Sequence, residues 1–270
     1  MSRLVLQSGD REYVATGDPV DISIPLRFDG PQPGFFGADA ATARPMHAGD
    51  FIGDTRLGGS CNAEHLDLIP HCNGTHTECI GHITNERIAV NDMAMRALYL
   101  AQVVTIATAP AGEVHEQDWQ KPSKKDRLIT QDALHKALTD ADLSAVDALI
   151  IRTLPNDKEK TRREWPIDQT PYFSVEAMRW IVERNVRHLL VDTPSVDRLD
   201  DAHLDAHRIF WGLASGSRSV HDATRAHATI TEMIYVPDRI DDGLHLLALQ
   251  IAPFVSDAAP SRPLLYRIAA

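Results

Sequence analysis

The sequence predicts a single α/β domain spanning residues 1–270, built on a mixed β-sheet with flanking helices. Three observations carry this. Apolar segments of strand length outnumber segments with helical periodicity, and the two kinds are interspersed along the chain. No repeat, low-complexity tract or shift in composition divides it. A chain of 270 residues with 43% hydrophobic and 24% charged residues can bury one sizeable core.

The elements follow in order. Val20–Leu26 alternates Ile22, Ile24 and Leu26 with other residues and reads as a half-buried strand. A Gly/Pro-rich stretch from Asp29 to Gly37 continues as loop-like sequence to about Gly59, long enough to be expected as a functional loop or lid. His65–Pro70 reads as a short strand, Met93–Leu98 as a short helix or turn, and Gln102–Thr108 as a strand. Thr130–Leu138 has an N-cap threonine followed by Ala133, Leu134 and Leu138 at helical spacing. The apolar strand Asp147–Thr153 precedes a charged loop, Asn156–Glu164. Ser174–Arg184 reads as a helix, with Ser174 as N-cap and Glu176 in the first turn, where the helix dipole favours it. Arg187–Asp192, Thr229–Val236 and Leu244–Ile251 read as the remaining strands.

Charge excludes some partners. The formal net charge is −11, and no basic stripe of the kind that binds nucleic acid is present. The densest basic run, Lys121–Arg127, is short and interrupted and reads as a solvated loop. The acidic balance also disfavours an anionic membrane surface. No segment reaches the roughly 20 apolar residues of a membrane span, and the N-terminal residues lack a signal-peptide core. Three cysteines, Cys61, Cys72 and Cys79, do not make a disulfide framework. A cytoplasmic protein acting on a small molecule is the expectation.

The densest chemical signal is His71-Cys-Asn-Gly-Thr-His76-Thr-Glu78-Cys-Ile-Gly-His82. Four potential metal or proton ligands fall within twelve residues of a chain that holds 13 histidines. Imidazole nitrogen and carboxylate oxygen suit zinc, manganese or iron. In an extended segment His76 and Glu78 project to one side. Gly74 and the neighbouring threonines disfavour a helical zincin motif. Three other readings stand beside this one: a polar surface loop in which histidines merely recur, a structural zinc site using Cys72 and Cys79, and a nucleophilic cysteine. More distant candidates are Glu232, inside the apolar Ile230–Ile234, and His207 in Asp205-Ala-His207-Arg208. A carboxylate buried in a strand needs a partner or a metal. The alternatives are a half-exposed strand for Glu232 and a helix surface for His207.

These residues resemble the cyclase family of metal hydrolases, which includes bacterial kynurenine formamidase and isatin hydrolase. The family signature is His-x-Gly-Thr-His-x-Asp-x-Pro-x-His, and Gly74-Thr-His-Thr-Glu78 with His82 follows it. Asp21–Leu26 is similar to the family's opening strand, Val191–Asp197 with Ala206–Arg208 to its second block, Ile230–Glu232 to its glutamate strand, and Ala259–Pro263 to its closing segment. The resemblance implies a swivelling β/β/α-type fold and a homodimer or homotetramer. It also implies one or two divalent metal ions, Zn2+ or Mn2+, on His71, His76, Glu78, His207 and Glu232, with His82 as general acid/base. There are departures. His71 stands one residue further from His76 than the pattern has it, Glu78 replaces the aspartate, Ile80 replaces the proline, and Gly212–Ala228 lengthens the gap between His207 and Glu232, as a lid or dimer arm would.

The expected activity is metal-assisted hydrolysis of a carbon–nitrogen bond in an aryl formamide such as N-formylkynurenine. The alternatives are a cyclic amide such as isatin, or a metal-binding relative without turnover. A serine-hydrolase reading fails because Gly212-Leu-Ala-Ser-Gly216 has alanine where the nucleophile elbow needs serine.

Overall fold

The computed structural model describes residues 4–115, 123 and 125–269. Nine strands make the main sheet: β1 Val5–Ser8, β2 Arg11–Asp21, β3 His76–Glu78, β4 Tyr99–Ala107, β5 Ala148–Leu154, β6 His188–Val191, β7 Thr229–Glu232, β8 Gly243–Ile251 and β9 Ala258–Ile268. Their order is β1-β2-β9-β8-β4-β5-β6-β7-β3. The short β3 pairs with β7 on one side and with β9 on the other, so seven of the strands close into a barrel-like ring and the β1–β2 hairpin is added outside. Strands β4, β5, β6 and β7 run parallel to one another; the other pairings are antiparallel. The sheet is mixed, as the sequence predicts.

Both faces of the central strands are covered, which explains their near-continuous apolar sequence. Alternate residues serve two cores. Leu100, Val104, Ile106, Leu149, Ile151, Leu189 and Val191 pack with the helices α1 Gln131–Ala137, α2 Val175–Glu183 and α3 Asp205–Trp211. Tyr99, Ala101, Val103, Ala148, Ile150 and Leu190 pack on the opposite face with Ile22, Ile234 and Val236. The helix starts agree with the sequence: Thr130 accepts from the backbone N–H of Ala133, and Ser174 from that of Ala177.

Several boundaries differ from expectation. The first long strand is Arg11–Asp21, so Val20–Leu26 overlaps only its end, and Ser23 joins Ile234 through an isolated bridge. The expected strand Thr229–Val236 stops at Glu232 because Met233 turns into the left-handed region at φ 57°. Within the 29–59 stretch, Thr42–Pro45 pairs with Glu64–Asp67 and His47–Ala48 with Phe51–Ile52. These strands are too short and too exposed to give a periodic signal. Met93–Leu98 is not helical; the turn precedes it, at Val90–Asp92. The segment 212–228 is not a free arm. The buried Arg225 donates to the Phe210 and Val186 carbonyls, and Trp211 donates to the Ala228 carbonyl across 2.9 Å. Lys121 and Lys124 of the basic run lie outside the described residues. Among the described residues no helix is long and apolar enough to cross a membrane.

Candidate metal centre

Sheet register places the first residues of the centre. Glu232 lies opposite His76 and Ile230 opposite Glu78 across the antiparallel β7–β3 pair. Residues opposite one another share a face, so His76, Glu78 and Glu232 project together. Ile230 belongs to the core that holds the helices, so this is the helix-bearing face. Thr77 and Thr231 occupy the other face, with their hydroxyls 2.8 Å apart. Helix α3 then delivers His207 onto Glu78, with Nε2 2.9 Å from Oε1. Beyond β3, a short 3-10 turn over Ile80–His82 carries His82 back towards Glu78. Its Gly81 admits no side chain, since a Cβ there would come within 2.1 Å of the Ile88 carbonyl oxygen.

Each histidine is oriented from behind. His76 donates from Nδ1 to the Gly74 carbonyl at 3.0 Å and turns Nε2 towards Glu232, 3.4 Å away. His207 holds Asp197 through Nδ1 at 2.5 Å and lies 3.7 Å from Glu232 through Nε2. Asp197 also accepts from the first backbone N–H groups of α3, those of Ala206 and His207. His71 reaches Glu78 through Nδ1 at 3.2 Å and Asp257 through Nε2 at 2.7 Å. His82 lies 3.8 Å from Glu78 through Nε2 and 3.4 Å from Asp257 through Nδ1. Glu232 accepts from the Val196 N–H at 2.9 Å. All five expected ligand residues and His82 therefore converge. The extra residue before His76 is absorbed in a turn in which Cys72 and Asn73 both donate to the Ile69 carbonyl, and His71 still reaches Glu78.

Burial decides between the open readings. His76, Glu78, His207 and Glu232 are at most 4% exposed, so neither a half-exposed strand nor a helix surface describes them. His71, His82 and Asp257 are partly exposed and form the open side of the cluster. Burial opposes ionisation of Glu78, but His82 and His207 outweigh it and hold the carboxyl well below its usual range. Burial likewise opposes the charged form of His207, yet Glu78 and Asp197 raise it well above an ordinary imidazole. For His71, burial is outweighed by Asp257 and Glu78, which raise its pKa to about 10. Cys72 and Cys79 border the cluster without joining it: besides burial, Glu232 raises the Cys72 thiol, and Asp257 and Glu78 raise that of Cys79. Among the described residues the clusters of three or more potential ligands contain histidine, glutamate and Asp257 but no cysteine. Burial pushes the Cys79 thiol up to about 12.

Two participants escaped the sequence reading. Asp197 ends a block that the resemblance singled out, but no role was assigned to it. Asp257 lies just before the closing block, in Ser256-Asp257-Ala258, with no local pattern to mark it.

A family model described as a putative cyclase matches residues 20–198. The chain belongs to the cyclase family. His207 and Glu232 lie beyond the matched stretch, so their place beside this family's histidine motif rests on the geometry above. Kynurenine formamidase of Bacillus mycoides is 25% identical over 207 residues, covering 77% of this chain and 81% of that protein. That of Bordetella petrii is 27% identical over 204 residues, covering 76% and 80%. Among solved structures, one described as a potential metal-dependent hydrolase with cyclase activity superposes with a TM-score of 0.61 at 15% identity, covering 92% of this chain and 96% of that one. Isatin hydrolase A of Labrenzia aggregata superposes at 0.59 and 18% identity, covering 92% of each chain. The expectation of a cyclase-family metal-dependent hydrolase agrees with these relatives, and the structural neighbours share its fold.

The donor set fits a metal ion. His76 Nε2 and Glu78 Oε2 are buried and face the middle of the cluster, and neither makes a well-aligned hydrogen bond: their polar neighbours are Glu232 at 3.4 Å and His71 at 3.2 Å. Buried polar atoms without partners are costly, and a cation ligated by them would remove that cost. The three carboxylates Glu78, Glu232 and Asp257 supply the negative charge such an ion needs.

Proposed function

We propose that this cyclase-family protein hydrolyses the amide bond of an aryl formamide of the N-formylkynurenine type, using zinc or manganese. The observation that carries the reading is the convergence of His71, His76, Glu78, His207 and Glu232 from three separate parts of the chain, with His76 Nε2 and Glu78 Oε2 left without a hydrogen bond. The names of the curated relatives support the choice of a formamide.

His76, Glu78, His207, Glu232 and His71 would hold the ion or ions. When bound, a divalent ion lowers the pKa of a water to about 7 and polarises a carbonyl oxygen. The chain supplies the rest. Asp197 fixes the ring of His207 and the Gly74 carbonyl fixes that of His76, so both present Nε2 inward. His82 stands on the open side, with Nδ1 towards Asp257 and Nε2 towards Glu78. At Nε2 it takes the proton of the attacking water and returns it to the departing nitrogen.

Reconstitution tests the reading. Protein stripped by chelator should lose cleavage of N-formylkynurenine and regain it with Zn2+ or Mn2+. Metal-loaded protein that leaves aryl formamides intact but opens isatin would replace the substrate and keep the centre. Full activity after stripping would refute the centre.

A further inference from the structure

Asp257, like Asp197, is an acidic member of the cluster to which neither the family resemblance nor the proposed ligand set gives a role, and it faces the open side. Its backbone is fixed: the Asp257 carbonyl accepts from the Cys79 N–H at 2.9 Å, extending the β3–β9 ladder by one pair. Its carboxylate therefore has a defined place. One oxygen, Oδ2, lies 2.7 Å from His71 Nε2 and 3.4 Å from His82 Nδ1, and the two rings lie 4.2 Å apart between centroids. An ionised carboxylate only accepts hydrogen bonds, so His71 Nε2 carries hydrogen, and the same carboxylate favours hydrogen on His82 Nδ1, which faces it at the longer 3.4 Å.

We propose that Asp257 is a second positioning residue of this centre beside Asp197, a single carboxylate that sets the tautomers of His71 and His82 together. The proposal rests on the metal-hydrolase reading above. With Nε2–H held by Asp257, Nδ1 is the His71 nitrogen left for the metal, which would displace the proton that Nδ1 holds towards Glu78, 3.2 Å away, in the absence of an ion. His76 and His207 do the opposite, since their Nδ1 atoms are held by Gly74 and Asp197. With Nδ1–H turned to Asp257, His82 keeps a free electron pair on Nε2, as a base must. Ligand and base are thus coupled through one oxygen atom.

The test uses the full-length protein, with zinc alone as the probe, and does not depend on the substrate. Zinc titration of Asp257→Ala should show affinity weakened by about 10–100-fold, as loss of a partner that orients a metal-ligating histidine does. Asp257→Asn keeps the volume and backbone contacts, guards against a folding defect, and should weaken zinc in the same direction. Histidine-ring 1H–15N correlation spectra of the zinc-loaded wild type should show His71 protonated on Nε2 and His82 on Nδ1. In Asp257→Ala, His82 should shift towards the Nε2–H form. Unchanged zinc affinity in both variants, or His82 already Nε2–H in the wild type, would overturn the proposal. Wild-type protein that takes up no zinc or manganese would instead refute the metal centre and the His71 half of the proposal, while the His82 tautomer would still decide the other half.

Discussion

His207 on α3 meets Glu78 on β3 across 2.9 Å, from Nε2 to Oε1, joining positions 129 residues apart. Asp197 holds the far side of the same ring and the start of the same helix. Asp197→Ala should therefore do two things. It leaves two buried N–H groups of α3 unpaired, at about 1–3 kcal/mol for each group, and it frees the His207 ring. Thermal unfolding should fall, and metal affinity should drop by about 10–100-fold. A variant that keeps wild-type affinity would show that Asp197 only caps the helix.

Removing a ligand and removing the base should separate. His76→Ala should lose metal and turnover together, read by elemental analysis of the purified protein. His82→Ala should keep its metal and lose about 10²–10⁴-fold in kcat. Loss of metal from His82→Ala would make His82 a ligand; normal turnover would move the proton transfer to another group.

The cysteines should be chemically unequal and catalytically idle. Cys61 is exposed, whereas Cys79 is buried, with its thiol pushed up to about 12 and donating to the Ile88 carbonyl at 3.3 Å. Alkylation at pH 8, followed by mass spectrometry, should label Cys61 well before Cys79. Cys72→Ala and Cys79→Ala should retain most turnover. A thousandfold loss in either, with metal retained, would point to a thiolate mechanism.

His188 should make the fold sensitive to acid. Burial, helped by Arg187 and Arg96, lowers its pKa to about 3 in the folded chain, against about 6.5 when unfolded. The neutral ring lies beside Thr229, 2.8 Å from its hydroxyl, and against Tyr99. Between these values the unfolded chain binds the extra proton. The His188 contribution is therefore intact above about pH 6.5 and is lost as pH falls towards 3, by up to about 1.4 kcal/mol per pH unit. Denaturant titrations at several pH values should show a shallower acid slope in His188→Asn, which can keep the bond to Thr229. Equal slopes would refute this role.

The sequence by itself determined the class of the fold and the kinship to metal-dependent hydrolases of the cyclase family. Strand runs such as Asp147–Thr153, capped helices such as Ser174–Arg184, and the motif from His71 to His82 are local patterns, and local periodicity and residue type are what a sequence displays. His207 and Glu232 were legible through resemblance, but their burial was not, because exposure depends on what packs above a residue. Tertiary structure alone decided the rest. It closed the sheet through the three-residue β3, which is too short to show any period. It ended β7 at Glu232 with the left-handed Met233. It folded 212–228 onto the body. And it brought Asp257, 186 positions away in sequence, within 2.7 Å of His71. A lone aspartate before a strand carries no local signature, because its role is set by chain closure and not by its neighbours in sequence.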